Sequence, residues 1–192
     1  MRQSIDTADT TGLAKATFAG GCFWCTEAYF ERLKGVEAVV SGYSGGTTPD
    51  PTYQEVSAGN TDYAEAVQVY YDPEKISFEE LVEVFFATHN PTTLNRQGPD
   101  IGKQYRSIAF YRTPQEKQVI EDYIRELEEA GTYQNEIVTH VEPFKKFWEA
   151  EEYHQDYYRR NPTDPYVVSV ARPKVQKFED SYRDKLKPEF VQ

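Results

Sequence analysis

Two periods of apolar residues take turns along this chain, one of about two residues as in strands and one near 3.6 as in helices. ATFAG, residues 16–20, is a short β-prone run that meets Gly20 and Gly21; CFWCTEAYFERL then has helical character and is closed by Gly35. The pattern predicts a strand, a glycine turn and a helix. VEAVVSGYSGG and TYQEVSAG read as β-like segments with turn glycines, and AEAVQVYY alternates until Asp72 and Pro73 stop it. Ser77 and Glu80 then form a capping box ahead of Phe78, Leu81, Val82, Phe85 and Phe86, the stripe of a helix buried on one face. HNPTTLNRQGPDIGK, with two prolines and two glycines in fifteen residues, reads as a long polar loop of the kind that carries function. QYRSIAFY predicts a strand. Thr113, Pro114 and Glu116 cap a helix bearing Val119, Ile120, Tyr123, Ile124 and Leu127 and ending at Gly131. EIVTHV predicts a last strand, and the aromatic-rich segment from Trp148 to Tyr158 reads as helical or irregular. Strands and helices interleave loosely, which predicts an α+β fold with a mixed or antiparallel sheet.

Length and charge narrow this picture. A chain of 192 residues can bury one core, and no repeat or linker divides it. Residues 1–12 read as a polar N-terminal tail, 13–170 as one domain carrying the chemistry, and 171–192 as an extended, charged C-terminal tail holding Pro173 and Pro188. A content of 39% hydrophobic, 15% aromatic and 28% charged residues is that of a soluble globular protein. The net charge of −11 repels phosphate backbones and anionic lipid, so neither a nucleic acid nor a membrane is expected as a partner. MRQSIDTADTTGLAK lacks the basic start and apolar run of a leader, and no stretch reaches the roughly 18 apolar residues of a membrane span. A cytoplasmic monomer is expected.

In that reducing compartment, two cysteines three positions apart are reactive or metal-binding rather than a standing disulfide. Cys22 falls at a predicted helix start, where the dipole and free N–H groups lower a thiol pKa, and Gly20 and Gly21 leave the approach to its sulfur clear. Cys25 follows one turn later on the same face, at a separation compatible with a disulfide. Nucleophile and resolver are both supplied, although two small cysteines packed on one helix would look the same. Zinc would need four ligands, and His89, His140 and His154 are scattered. Phe23 and Trp24 set two aromatic faces beside the sulfur, suited to a small apolar group. Glu65 lies at the mouth of the face it shares with Val67, Val69 and Tyr71, where desolvation would hold its carboxyl protonated and able to donate. A strand-end glutamate turned to solvent is the competing reading.

GCFWC with a glycine before it, YSGGTTPDPTYQEV, DYAEAVQVYYDP, HNPTTLNRQGPDIGKQYRS and AEEYHQDYY together resemble the A-type peptide methionine sulfoxide reductases, from about Thr17 to Tyr158. The resemblance implies a ferredoxin-like α/β sandwich with long loops that reduces the S epimer of methionine sulfoxide, free or in proteins. It makes Cys22 the nucleophile, Phe23 and Trp24 the wall for the substrate methyl group, and Glu65 the acid for the sulfoxide oxygen. Tyr53 and Tyr105 match tyrosines that bond the same oxygen or close the pocket, and Asp100 matches an acid beside the site. Cys22 would become a sulfenic acid, Cys25 would resolve it to a disulfide, and thioredoxin would restore the dithiol, with no metal or bound cofactor. Two departures stand out. The chain has no cysteine after Tyr158, where many members keep resolving cysteines, and Tyr63 stands where many have histidine. His89, His154 and Asp156 fall in matching blocks without a role, His154 being read as a structural hydrogen bonder; Arg106 and Gln104 read as anchors of strand ends or the pocket rim. A general disulfide oxidoreductase and a non-catalytic module for oxidised methionine are the competing functions.

Overall fold

A computed structural model describes residues 11–191, so the readings made for residues 1–10 and for Gln192 lie outside the described residues. The sheet is built from β1 (Ala14–Gly20), β2 (Val36–Ser44), β3 (Ala64–Tyr71), β6 (Ser107–Tyr111), β7 (His140–Pro143) and β8 (Phe147–Glu149) in the order β7-β6-β1-β3-β2-β8. Only β6 and β7 pair in parallel; the other pairs are antiparallel. A small hairpin of β4 (Arg96–Gln97) and β5 (Asp100–Ile101) stands apart. The helices are α1 (Phe23–Glu31), α2 (Tyr53–Ser57), α3 (Phe78–Ala87), α4 (Pro114–Glu129), α5 (Tyr157–Arg160) and α6 (Arg172–Ser181). The central strands run β2-β3-β1-β6, with α1 between β1 and β2 and α3 between β3 and β6. That is the split βαβ order of a ferredoxin-like sandwich, and the α+β class and mixed sheet follow the sequence pattern.

The eight residues of β3 are buried on both faces. On the helix side Phe18 stacks between Phe30 and Phe85, at ring-centroid distances of 5.3 and 4.9 Å. Truncating such a buried ring costs about 3–5 kcal/mol. On the other side Ala64, Ala66, Ile108 and Phe110 lie under Phe144 and Phe147. The Arg112 guanidinium covers Phe144 at 3.9 Å and donates to Thr17 Oγ1 and Gln68 Oε1, polar side chains of that face. Burial of both faces takes Glu65 well inside the apolar surface rather than to its mouth.

Several segments differ from the pattern's prediction. TYQEV is helical, not β-like: Thr52 Oγ1 accepts from Glu55 N at 3.3 Å and the Glu55 carboxylate accepts from Thr52 N at 2.9 Å, a capping box that outweighs the β-branched and aromatic residues. EIVTHV enters the sheet only at His140. Over the span expected as an extended charged tail, the described residues are packed. Val167, Ala171, Val175 and Phe178 form a buried stripe diluted by charged neighbours, and Leu186 bridges to Leu33 at 1% exposure. Arg32 fastens this segment to α1 through Glu179 at 2.8 Å and the Phe190 ring at 4.6 Å.

Candidate active site

The strand–helix junction sets out the first half of the site. Gly21 has φ +95°, and a Cβ there would meet Gln97 at 2.8 Å; the glycine makes the turn and lets the loop clamp down, rather than keeping space for a ligand. Gln97 accepts from Asn90 N at 3.0 Å and donates to Asn90 O, holding the loop in place. Cys22 is the N-cap of α1 and half-buried; Cys25 is 5% exposed, and the two thiols hydrogen-bond to each other.

The helix end does not lower the Cys22 pKa as expected. Burial, then the Cys25 thiol and the Glu65 charge, push the Cys22 thiol well above the ordinary range, and the Trp24 N–H opposes them. The reason lies in where the other free N–H groups go: Cys25 N and Thr26 N bond Cys22 O, and Phe23 N donates to Glu65 Oε1 at 3.5 Å. The Cys25 thiol is lowered, first by the hydrogen bond from Cys22 and then by the Lys174 charge, against the penalty of its own burial.

Glu65, 2% exposed and paired across the sheet with Tyr43, points its carboxyl under the start of α1. Burial pushes it well above the usual carboxylate range, against the Phe23 N–H bond that opposes the shift, and so favours the protonated form. The solvent-facing alternative is excluded by that burial. Tyr53 and Tyr105 lie within the electrostatic reach of Glu65 and Cys22, and burial pushes both phenols up, leaving them neutral donors. Tyr53 is the first residue of α2, fixed by its N–H to Glu151 Oε2 at 3.1 Å. Tyr105 sits in a single 3₁₀ turn, where Arg106 donates to Asp62 O at 2.8 Å and Gln104 to Ser57 O at 3.1 Å.

Phe23 is fully buried, packed on Tyr43, Tyr53 and His154. Trp24 is half-buried. Its indole donates to His154 Nδ1 at 3.0 Å, and its face stacks on Tyr157 at 3.7 Å. His154 thus takes the structural role expected of it, as the acceptor that orients Trp24. His89 is neutral, lowered to about 4 by burial, and bridges Phe85 O to Ser107 Oγ. Tyr63 accepts from Trp148 Nε1 at 3.0 Å and donates to Thr48 O, away from the sulfurs.

The second half of the site comes from residues that sequence reasoning missed. Glu27, buried and pushed up to about 8, accepts from Asp156 N at 3.1 Å on both oxygens and so fixes the turn that presents His154 and Tyr157. Tyr166 lies edge-on to Trp24 and donates to Asp100 Oδ2 at 2.5 Å. A cleft of about 690 Å³ reaches both sulfurs between the His89–Asn90 loop, Gly98, Lys174 and Phe178. The signals for these residues were weak: one buried acid per turn of a helix, and an aromatic stripe scattered through the presumed tail.

A half-buried thiol with a second thiol in contact, facing a buried carboxyl of raised pKa and framed by aromatic rings, is the site of a thiol-dependent reductase that takes oxygen from a substrate. The comparisons agree. The family model for peptide methionine sulfoxide reductase matches residues 14–186. The "Peptide methionine sulfoxide reductase MsrA" of Natronomonas pharaonis is 52% identical over 173 residues, 90% of this chain and 97% of the relative. Saccharomyces cerevisiae Mxr1 in reduced form superposes with a TM-score of 0.73 at 37% identity, over 81% of this chain and 89% of that one. Mxr1 in complex with Trx2 gives 0.53 at 29% identity, over 78% and 87%. The chain belongs to the peptide methionine sulfoxide reductase family, and its relatives place it in the A type.

Proposed function

We propose that this protein reduces the S epimer of methionine sulfoxide, free or in proteins, with Cys22 as nucleophile, Glu65 as acid, Cys25 as resolver and a thioredoxin as reductant. The observation that carries the reading is the Glu65 carboxyl buried beneath the N-terminus of α1, its pKa raised by that burial, beside the half-buried Cys22 sulfur. A neutral acid in that position donates to a sulfoxide oxygen without repelling the electron-rich sulfur. The Cys22 sulfur attacks the sulfoxide sulfur as the Glu65 proton passes to the oxygen and the Cys22 proton replaces it on Glu65. The S–O bond and the new bond between the two sulfurs then break as the hydroxyl passes to the Cys22 sulfur, so that methionine leaves as the thioether and Cys22 becomes the sulfenic acid. Because the resting thiol is protonated, attack is coupled to this proton exchange and the idle enzyme exposes little thiolate to oxidants.

Tyr53 and Tyr105 are neutral donors for the same oxygen; Phe23 and Trp24 form the wall for the methyl group, and Asp100 borders the site. Cys25 attacks the sulfenic acid, and a dithiol of thioredoxin type reduces the resulting disulfide; the Mxr1–Trx2 complex supports that partner. No metal or bound cofactor enters this scheme. Among the described residues no helix is long and apolar enough to cross a membrane, and a monomer in a reducing cytoplasm fits the chemistry.

A general disulfide oxidoreductase would leave Glu65 and the aromatic wall without work. A thioredoxin-coupled NADPH assay on separate S and R sulfoxides tests the reading: consumption is expected with S and essentially none with R. Turnover of R, or of insulin disulfides in place of S, would overturn it.

A further inference from the structure

Cys25 is 5% exposed, yet resolution requires it to lose a proton. The Tyr166 hydroxyl lies close enough to its sulfur to ease its ionisation, and that hydroxyl donates to Asp100 Oδ2 at 2.5 Å. A phenol carries one hydrogen. With that hydrogen held on Asp100, the phenol oxygen is left to take up a proton leaving the Cys25 sulfur, and a path runs from sulfur to phenol to the Asp100 side chain. Asp100 is half-buried in the short β4–β5 hairpin, where the line ends at the protein surface. Lys174 of α6 lines the cleft that contains both sulfurs. The other titratable groups facing Cys25 are Cys22 and Tyr29 of α1, Glu65 of β3 and Tyr158 of α5. Burial pushes Glu65 and the phenols up, and Asp100 is the acid that the Tyr166 hydroxyl touches.

We propose that Tyr166 is a catalytic residue of disulfide closure, taking the Cys25 proton as it passes its own to Asp100, with Lys174 beside the developing charge. The inference rests on Cys25 being the resolver. In the step, the Cys25 sulfur pair forms the S–S bond while the S–O bond of the Cys22 sulfenic acid breaks. The departing hydroxide takes a proton from solvent and leaves as water, and Asp100 returns the relayed proton to solvent. Cys25 is oxidised and the sulfenic sulfur reduced, with no further reagent. Tyr166 ends as it began, a neutral phenol.

The test is a single turnover of pre-reduced enzyme with one equivalent of the S sulfoxide, following methionine, the alkylated sulfenic acid and the two-hydrogen mass loss of the disulfide. Methionine release near one per enzyme shows that each variant is folded and loaded. In Tyr166→Phe, which keeps the ring against Trp24, disulfide formation is expected to be roughly 10- to 100-fold slower near neutral pH, with sulfenic acid accumulating. It should recover about tenfold for each pH unit, whereas the wild-type rate varies little; a packing defect would give no such recovery. Lys174→Met should slow the same step by a few fold. Closure in Tyr166→Phe within about threefold of wild type, or slowing without recovery at high pH, overturns the relay. Absence of the Cys22–Cys25 disulfide in the wild type would instead overturn the role of Cys25, so the two failures are distinct.

Discussion

The strand–helix junction at 20–25 and the C-terminal segment at 151–178 face each other across the same two sulfurs, but they are made differently. The junction is compact in sequence and rigid, with Gly21 in its turn, Cys22 as the cap and Glu65 locked beneath. The C-terminal segment is assembled from single residues set on short turns: Glu151 holding Tyr53, His154 holding Trp24, Tyr157 covering it, Tyr166 reaching Asp100. The junction carries the sulfurs whose bonds change; the segment orients them and, at Tyr166, relays a proton. If that division is right, substitutions in the junction remove the reaction, and those in the segment shift binding or individual steps.

The largest effect is expected at Cys22. Cys22→Ser should lower kcat/KM by at least about 10⁴-fold, since a hydroxyl neither attacks a sulfoxide sulfur nor carries its oxygen away. Measurable methionine release by Cys22→Ser would move the chemistry elsewhere. Glu65→Gln comes next, roughly 100-fold on the reductive step. Its pH dependence has a defined sign. Glu65 acts in its protonated form and its pKa is raised, so the wild-type rate of methionine release should fall as pH rises through that raised value, above the ordinary carboxylate range. A rate that climbs across the same range would show a thiolate-limited reaction with Glu65 idle.

The same division explains what could be read from the sequence. The ferredoxin-like order, the Ser77–Glu80 capping box, α4 behind Thr113 and Pro114, and the pairing of Cys22 with Cys25 all depend on local spacing. Glu65 was legible because AEAVQVYY has a period of its own. The direction of the Cys22 pKa was not, because it depends first on how deeply the fold buries the sulfur and on its neighbours Cys25 and Glu65. Nor was α6, since Val175 and Phe178 are too widely spaced among charges to outweigh composition. Tyr166 and Glu27 meet their partners over 66 and 129 residues, beyond any local pattern.

In the C-terminal segment, His154→Phe keeps ring contacts to Phe23 and Tyr53 but removes the acceptor of the Trp24 indole. Leaving that donor unpaired in a half-buried wall costs about 1 kcal/mol, or roughly fivefold. The rise should appear in KM with kcat nearly retained. A loss as large as that of Glu65→Gln, carried by kcat, would break the division between the two regions.

The smallest effect on turnover, and a distinct one on stability, is expected at Glu27, the tie between α1 and the Asp156 turn. Its carboxyl is pushed up to about 8 mainly by burial, against an ordinary value of 4.5. Below about 4.5 both folded and unfolded chains hold the proton and burial carries no charge penalty. Between the two values the unfolded chain releases its proton while the folded chain keeps it, so stability falls as pH rises, by up to a few kcal/mol at pH 8. Glutamine can accept the same Asp156 N–H without titrating. Glu27→Gln should therefore flatten the decline of Tm from about pH 5 to 8 and raise Tm at the alkaline end, with kcat within about twofold at neutral pH. Because Glu65 tilts the curve in the same direction, the difference between the wild-type and variant profiles isolates Glu27; parallel profiles would mean that its carboxyl titrates alike in the folded and unfolded chain.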